Sequence, residues 1–231
     1  MPRTSSNSIL DRLPPAQQKA LIARMQEVPL EVGKVLTRPG ELPEYAHFML
    51  SGMTSVVTNM KNGAAAEVGI IGKEGVVEAM HLLGSAYSPN TAFVQVAGSA
   101  LRMPFAELQK EAFASGPLLR GILEFVQRHA FALTQLTACN GLHEIEQRLA
   151  RWLLMVRDKA ESPTFDLTQD FLATMLGIRR TSVSLAAGSF QQSGLIEYRR
   201  GHIRILDEGR LKSAACECYP IVRDLVDGDR R

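Results

Sequence analysis

Five arginines lie close together between Thr168 and Ile205. They are Arg179, Arg180, Arg199, Arg200 and Arg204, and this stretch contains only two acidic residues, Asp170 and Glu197. A guanidinium binds phosphate oxygens and the edge of guanine, and nearby hydroxyls contact phosphate or base. The whole chain has 231 residues and a formal net charge of only +2, so nucleic acid has to be attracted by this local patch. The cluster therefore indicates a nucleic-acid-binding surface, and a solvated arginine face on a protein-interaction domain is the alternative.

The elements that position these arginines follow the pattern of a winged helix-turn-helix. Thr168 is suited to cap a first helix, Gly177 to form the turn, and a second helix is expected from Arg179. A hairpin turning at Arg200-Gly201 forms the wing. The inward stripe of the second helix comprises Val183, Ala186, Ala187 and Phe190. The predicted DNA contacts are Arg179, Arg180, Thr181, Ser182 and Ser184 from the second helix, with Arg199, Arg200 and His202 from the wing.

Cys139, Cys216 and Cys218 are the chain's three cysteines. An odd number does not form a disulfide framework, which agrees with a reducing compartment. The Cys-x-Cys pair admits metal or redox sensing, but a four-ligand site needs partners that the spacing does not supply. We therefore expect inert thiols and no metal ligands.

Catalytic motifs are absent from the sequence. It has no His-x-His pair, no nucleophile elbow and no glycine-rich phosphate loop, so no catalytic residue is assigned and the chain is not expected to be an enzyme. A cupin-like metal enzyme is the alternative from that class.

The first half of the chain shows the spacing of short strands. From Leu30 to about Met103, apolar runs are separated by glycines, which predicts an antiparallel β-sandwich or barrel. Asn62-Gly63 is a strong hairpin signal. A short helix is expected before this region, ending by Pro29.

A long helix is predicted after Pro117, with apolar positions in a heptad pattern. The predicted seam comprises Leu119, Ile122, Val126, His129, Leu133 and Leu136. Pairing with the same helix of a second subunit would bury this stripe, and packing on the chain's own sandwich is the alternative. His129 could fix the register or respond to an effector or to pH, and a buried, hydrogen-bonded histidine is the plainer interpretation. Asn140-Gly141 is predicted to interrupt the helix as a hinge.

A further helix follows this predicted hinge and resembles a scaffold. Its apolar face comprises Ile145, Leu149, Trp152, Leu153 and Val156. Arg148 and Arg151 are expected mostly on its opposite, polar face.

The whole chain resembles the Crp/Fnr family of transcription regulators. The resemblance is carried by PGELPEYAHFMLSGMTSVV, EVGIIGKEGVVEAM, EQRLARWLL and LTQDFLATMLGIRRTSV. It implies an α+β chain: a cyclic-nucleotide-binding-type antiparallel jelly roll with its N-terminal helix over 1–116, a dimerisation helix and hinge over 117–140, and a DNA-binding winged helix-turn-helix over 141–231. It further implies a recognition helix from Arg179 to Ser193, a homodimer on a two-fold symmetric operator in double-stranded DNA, and RNA polymerase as a partner.

The sensor region departs from the cyclic-AMP-binding members. Those members follow a G-E-L-G motif with R-S-A, whereas this chain has Gly72-Lys73-Glu74-Gly75 and then Asn90-Thr91-Ala92. Without the arginine a cyclic phosphate loses a charge-assisted contact, so weak or no cyclic-AMP binding is expected. The effector is left unidentified, and the candidate pocket residues are Gly72, Lys73, Glu74, Gly75, Asn90, Thr91 and His129.

The expected cofactor content is none. The family's oxygen sensors carry an N-terminal cysteine cluster, and this chain has no cysteine before Cys139, which excludes that iron–sulfur centre. His47, His81 and the nine methionines show no paired spacing that favours haem.

No signal peptide or membrane span is evident, so a cytoplasmic protein without a membrane partner is expected. The remaining alternative is a ligand- or metal-binding jelly roll whose helix-turn-helix serves protein contacts.

Overall fold

A computed structural model describes residues 6–84 and 87–228 of the chain. It has the predicted mixed α+β architecture, which confirms the fold class. The chain forms two compact units. Unit 1 comprises Met1–Val56 and Gly69–Ala130, and unit 2 comprises Val57–Val68 and Phe131–Arg231.

Unit 1 contains most of the strands. Its elements, including those shared with unit 2, are α1 (Ser8–Asp11), α2 (Pro15–Ile22), β1 (Gln26–Leu30), β2 (Val35–Thr37), β3 (Tyr45–Met49), β4 (Met53–Asn59), β5 (Ala65–Ile71), β6 (Val76–Val77), a 3-10 helix (Ala79–Leu82), β7 (Asn90–Val96), β8 (Gly98–Pro104), α3 (Phe105–Ala114) and α4 (Gly116–Leu142).

Two four-stranded sheets form the sandwich, in the orders β1-β8-β3-β6 and β2-β7-β4-β5. The register is antiparallel, with Gln26 opposite Arg102 in β1 and β8 and His47 opposite Val77 in β3 and β6. Apolar side chains fill the core, among them Phe48, which is fully buried. Burying this surface is the main stabilising contribution to the unit.

The predicted hairpin at Asn62-Gly63 joins β4 to β5. The N–H of Met60 donates to the carbonyl of Ala64 over 2.7 Å, and Gly63 takes a φ of 83°. Glycine adopts this backbone without steric cost, which is why the dipeptide was informative.

The predicted N-terminal helix is shorter than expected. It ends at Ile22, and Val28 and Pro29 belong to β1 instead. Val28 is buried against the sandwich because alternate residues of this strand face inward.

The long helix α4 is continuous through Asn140-Gly141, so the predicted interruption there is wrong. It ends at Leu142. His143 and Glu144 connect it to the next helix, and Glu144 is the N-cap of that helix. Tertiary context overrides the weak helix preference of a single glycine. The boundary between the two compact units lies within α4, after Ala130.

Three of the six predicted seam residues are already covered by unit 1 itself. Ile122 is 0% exposed, Val126 8% and His129 9%. Leu119 packs partly against the same core, and Leu133 and Leu136 are half-buried. The helix therefore turns part of its apolar stripe toward its own sandwich, which was the alternative to a purely intersubunit seam.

Unit 2 contains the helix-turn-helix. Its own elements are α5 (Ile145–Ala160), β9 (Thr164–Asp166), α6 (Gln169–Leu176), α7 (Arg180–Gln192), β10 (Ile196–Arg199), β11 (His202–Ile205), α8 (Glu208–Ala214) and α9 (Cys218–Asp227), with a three-stranded sheet in the order β10-β11-β9. None of the helices among residues 6–84 and 87–228 combines the length and apolar character that crossing a membrane requires.

Two arginines of α5 are buried, contrary to their predicted position on a polar face. Arg148 donates from Nη2 to the carbonyl of Leu176 over 2.5 Å, at the C-terminal end of α6. A cation is favourable there because the last carbonyls of a helix lack intrahelical donors. Arg151 is 4% exposed and donates to the sulfur of Met155 over 3.2 Å.

Candidate nucleic-acid interface

Local capping sets the ends of α6 and α7. The hydroxyl of Thr168 accepts the N–H of Phe171 over 3.2 Å, as predicted for a helix N-cap. Gly177 ends α6 with a φ of 63°, in the left-handed region where glycine is favoured. The chain then turns and α7 begins at Arg180, with Arg179 at its N-cap position.

The two faces of α7 differ as its sequence predicts. The inward stripe of Val183, Ala186, Ala187 and Phe190 is buried, none of the four being more than 4% exposed. These side chains fix the rotation of the helix about its axis, so the opposite face is left at the surface.

The predicted contact residues of α7 occupy different environments. Arg179, Arg180 and Thr181 are exposed, and Ser182 is half-buried. Nη1 of Arg180 lies 3.2 Å from Oδ2 of Asp170, in an exposed ion pair that contributes little to stability. Arg180 can therefore exchange this carboxylate for a phosphate or a base at small cost.

Ser184 differs from the other predicted contacts because its hydroxyl is already used within the protein. It donates to Oε1 of Gln169 over 2.6 Å and lies 3.1 Å from the carbonyl of Arg180. We interpret Ser184 as a residue that joins α7 to the start of α6.

The wing turns at the predicted dipeptide. Arg200 has a φ of 52° and Gly201 a φ of 83°, which is the combination of a tight hairpin with two left-handed residues. Arg199, Arg200 and His202 are exposed. Nδ1 of His202 lies 2.6 Å from Oδ1 of Asp166, across β9 and β11.

Tyr198 anchors the wing to the segment before α6. Its hydroxyl donates to the carbonyl of Leu167 over 2.8 Å, and burial raises the pKa of this phenol. The hydrogen bond places the wing arginines beside the start of the helix-turn-helix.

Leu185 is a surface residue that our sequence analysis did not select. It is 76% exposed, one turn after Thr181 on the outer face of α7. An exposed apolar side chain in this position is suited to contact the methyl group of thymine. Residues four apart lie on the same face of a helix, so the spacing from Thr181 could have indicated that Leu185 is on the outer face. A leucine in a helix is, however, ordinarily assigned to the hydrophobic core.

A cluster of cysteines and a histidine in unit 2 corrects the expectations of inert thiols, no metal ligands and no cofactor. Cys139, His143, Cys216 and Cys218 place one ligand atom each within 4.8 Å of one another. The three cysteines are buried, and burial raises the pKa of the Cys139 thiol to about 12. The sequence could not supply this set, because the fold brings together two pairs that are 73 or more residues apart in the chain.

Of the predicted effector residues of unit 1, Gly72, Glu74, Gly75 and His129 are buried, Asn90 and Thr91 are half-buried and Lys73 is exposed. The turn Gly72–Gly75 lies between β5 and β6, where the N–H of Gly72 donates to Glu74 over 2.9 Å. A side chain added at Gly75 would collide with the ring of Phe125, and that ring lies 5.6 Å from His129. The carbonyl of Lys73 accepts the N–H of Ser8 over 2.8 Å. Asn90 and Thr91 begin β7.

Unit 1 also holds a buried acid that sequence reasoning missed. The side chain of Glu78 is 6% exposed, and its Oε2 lies 3.0 Å from Nδ1 of His81. Thr37 donates to its other carboxyl oxygen. Burial raises the pKa of Glu78 to about 7 and lowers the pKa of His81, so desolvation favours the neutral form of both groups.

Comparisons with known proteins agree with this architecture. A Crp-like helix-turn-helix domain model matches residues 147–214, and a cyclic nucleotide-binding domain model matches residues 27–114. No curated protein sequence matches the chain.

Solved structures with the same fold include several transcription regulators. A Crp/Fnr-family regulator from Eubacterium rectale has a TM-score of 0.73 at 17% identity, over 90% of this chain and 98% of that one. The c-di-GMP-responsive regulator CLP of Xanthomonas campestris has a TM-score of 0.69 at 15% identity, over 83% and 99% of the two chains. FixK2 of Bradyrhizobium japonicum has a TM-score of 0.69 at 16% identity, over 83% and 98%.

Proposed function

We propose that this chain, which belongs to the Crp/Fnr family of transcription regulators, binds a two-fold symmetric operator as a homodimer with α7 in the major groove. The observation that carries the proposal is the exposed outer face of α7, bordered by Arg179 and Arg180. An α-helix fits the major groove, where its side chains reach base edges. The wing arginines then lie where they can bind the phosphate backbone.

The proposed recognition surface comprises two kinds of contact. Arg180, Thr181 and Leu185 are proposed to face bases, since they are exposed on the outer side of α7. The proposed backbone contacts are Arg179, Ser182, Arg199, Arg200 and His202. Two copies of α7 would enter successive major grooves, about 34 to 36 Å apart.

We propose that α4 supplies the dimer contact, with a seam displaced from the predicted one. Ile122, Val126 and His129 are covered within unit 1, whereas Leu123 is 40% and Phe131 52% exposed. Leu119 and Leu123 line a shallow groove along the outer side of the helix. A second copy of α4 packed there would remove these apolar side chains from water.

The proposal also covers the effector that the sandwich binds and the protein that the regulator contacts on the promoter. The sandwich is proposed to bind an effector other than cyclic AMP, since Asn90-Thr91-Ala92 stands where the cyclic-AMP-binding members have an arginine. RNA polymerase is the proposed partner on the promoter. A transcription regulator has to be in the compartment that contains the DNA, so we also propose a cytoplasmic location.

The direct test begins with selection of bound sequences from a random duplex library. Affinity for the selected operator is then measured by fluorescence anisotropy at one fixed salt concentration. Arg180→Ala should weaken specific binding by about 1 to 3 kcal/mol. Arg38→Ala removes an exposed arginine from unit 1 and is the matched control, expected to bind as the wild type does.

Two results would overturn the proposal. The first is a library selection that enriches no sequence, which would favour a helix-turn-helix used for protein contacts. The second is a monomer by light scattering at concentrations that saturate the operator. If Arg180→Ala and Arg38→Ala lost the same operator affinity, only the assignment of Arg180 as a DNA contact would be rejected.

A further inference from the structure

Four potential metal ligands meet in unit 2, outside the proposed DNA-binding surface. Cys139 lies in the last turn of α4 and His143 directly after that helix. Cys216 lies between α8 and α9, and Cys218 begins α9. Cys139 and Cys218 are 0% exposed and Cys216 is 3% exposed, so the three thiols are shielded from solvent, whereas the side chain of His143 is 19% exposed.

The distances within the cluster suit one tetrahedral ion. With ordinary zinc–sulfur and zinc–nitrogen bond lengths, tetrahedral geometry puts two sulfurs about 3.8 Å apart and a sulfur and a nitrogen about 3.6 Å apart. The sulfurs of Cys139 and Cys216 are 3.5 Å apart, and the sulfur of Cys218 lies 3.6 Å from Nδ1 of His143. All four ligand atoms lie within 4.8 Å of one another, which suits a single ion rather than a multinuclear cluster.

Neighbouring side chains orient two of the ligands. Nε2 of His143 lies 3.2 Å from Oε1 of Glu217, which leaves Nδ1 directed at the thiols. A carboxylate on the far nitrogen is the usual support of a metal-bound histidine. The side-chain amide of Gln135 donates to the sulfur of Cys218 over 3.1 Å, a hydrogen bond that stabilises the thiolate form of a metal-bound cysteine.

The charge balance around the cluster also indicates an anionic centre. Arg148 and Arg151 are 8% and 4% exposed, and neither has a carboxylate partner among residues 6–84 and 87–228. Both guanidiniums act electrostatically on the thiols of Cys139 and Cys216. Buried charges are costly unless compensated. Three thiolates, one neutral imidazole and one divalent ion carry a single net negative charge, which would offset part of this buried positive charge.

We propose that Cys139, His143, Cys216 and Cys218 bind one zinc ion. Three sulfur ligands and one nitrogen ligand in a closed tetrahedron are typical of structural zinc rather than of a catalytic centre, which keeps an open position. The ion cross-links the end of α4 to the start of α9. It thereby stabilises unit 2, because a site that is absent from the unfolded chain couples metal binding to folding.

Metal analysis of the full-length protein tests the proposal directly. The protein is purified without chelators in zinc-containing medium, and metal is measured by mass spectrometry against protein concentration. One zinc per chain is expected in the wild type, and less than a tenth of that in Cys216→Ser. Ser213→Ala, at an exposed position of α8, is the matched control and retains one zinc. Absence of metal from the folded wild type, also after reduction and incubation with zinc, would overturn the proposal.

Cobalt substitution identifies the ligands without relying on a variant that folds poorly. Metal-free wild type titrated with Co²⁺ should develop the intense visible bands of a tetrahedral ion and thiolate-to-cobalt charge transfer, saturating at one equivalent. Octahedral spectra without charge transfer would overturn the assignment. Glu217→Gln keeps all four ligands, and loss of its carboxylate should weaken metal affinity by about 10- to 100-fold. Unchanged affinity would remove Glu217 from the site.

A disulfide between Cys139 and Cys216 is the competing outcome. Their sulfurs are 3.5 Å apart, and a bond requires about 2.05 Å. Intact mass under denaturing, non-reducing conditions separates the two cases, since a disulfide lowers the mass by two hydrogens. That mass loss in metal-free protein from reducing cells would reject the zinc site. Operator binding is measured separately, so failure of this proposal would leave the proposed DNA-binding function untouched.

Discussion

Replacing Glu78 by glutamine should change how the stability of unit 1 depends on pH. The carboxyl of Glu78 is 6% exposed, and burial raises its pKa from 4.5 to about 7. Between those values the folded protein holds a proton that the unfolded chain has already lost. Stability is therefore lost as the pH rises through this window, and the loss is complete above about pH 7.

The magnitude follows from the displacement of the pKa. Each pKa unit corresponds to about 1.4 kcal/mol, so a rise from 4.5 to about 7 costs roughly 3 kcal/mol of folding free energy once Glu78 is ionised. Glutamine stays neutral and keeps the shape of the protonated acid. The variant should gain about 3 kcal/mol over the wild type at about pH 8, and the two should be nearly equal at about pH 4.5.

The assay is differential scanning calorimetry of the full chain at these two pH values. A gain of 3 kcal/mol raises the Tm of a domain of about a hundred residues by on the order of 10 °C. The comparison has to be made between variant and wild type, because His47 and His81 titrate with the opposite sign in an overlapping window. Glu41→Gln changes an exposed carboxyl of the same unit and is the control, expected to leave the Tm unchanged at both values. The reasoning would be refuted if the difference in Tm between Glu78→Gln and the wild type were the same at both pH values.

Three further predictions follow from the described contacts. Thr168→Ala removes the hydroxyl that accepts the N–H of Phe171 and should lower the free energy of unfolding by about 1 kcal/mol in urea titrations, whereas Thr168→Ser should retain it. Leu185→Ala should reduce operator affinity without changing stability, and an unchanged dissociation constant would remove Leu185 from the interface. Burial lowers the pKa of His47 from 6.5 to about 4, so this side chain contributes a loss of stability as the pH falls through this window, opposite in sign to the contribution of Glu78. The free energy of unfolding of His47→Gln relative to the wild type should therefore rise as the pH falls from about 7 to about 4, and a difference that stays constant would refute the assignment to His47.

Much of the helix-turn-helix could be predicted because its signals are local. The cap at Thr168, the left-handed Gly177 and the turn at Arg200-Gly201 depend on backbone conformations that few residue types favour. The inward stripe of α7 follows from helical periodicity alone. The hairpin at Asn62-Gly63 was predicted for the same reason as the wing.

The heptad pattern of α4 did not predict which side of the helix is exposed. A heptad pattern shows that one stripe is apolar, but it does not show whether a second subunit or the chain's own sandwich covers that stripe. Ile122 and Val126 prove to be covered within unit 1, while Leu123 and Phe131 stay at the surface. Likewise, a single glycine at Gly141 lowers helix preference too little to outweigh tertiary packing.

By itself, the sequence determined the α+β class, the helix-turn-helix with its wing, and the inward stripe of α7, because these signals are residue types and periodicities within short stretches of the chain. Only the tertiary structure decided which distant side chains meet. It joined Cys139 and His143 to Cys216 and Cys218, and it buried Arg148 beside them. Burial and proximity across more than seventy residues depend on how the elements pack together, and no local pattern in the chain encodes that packing.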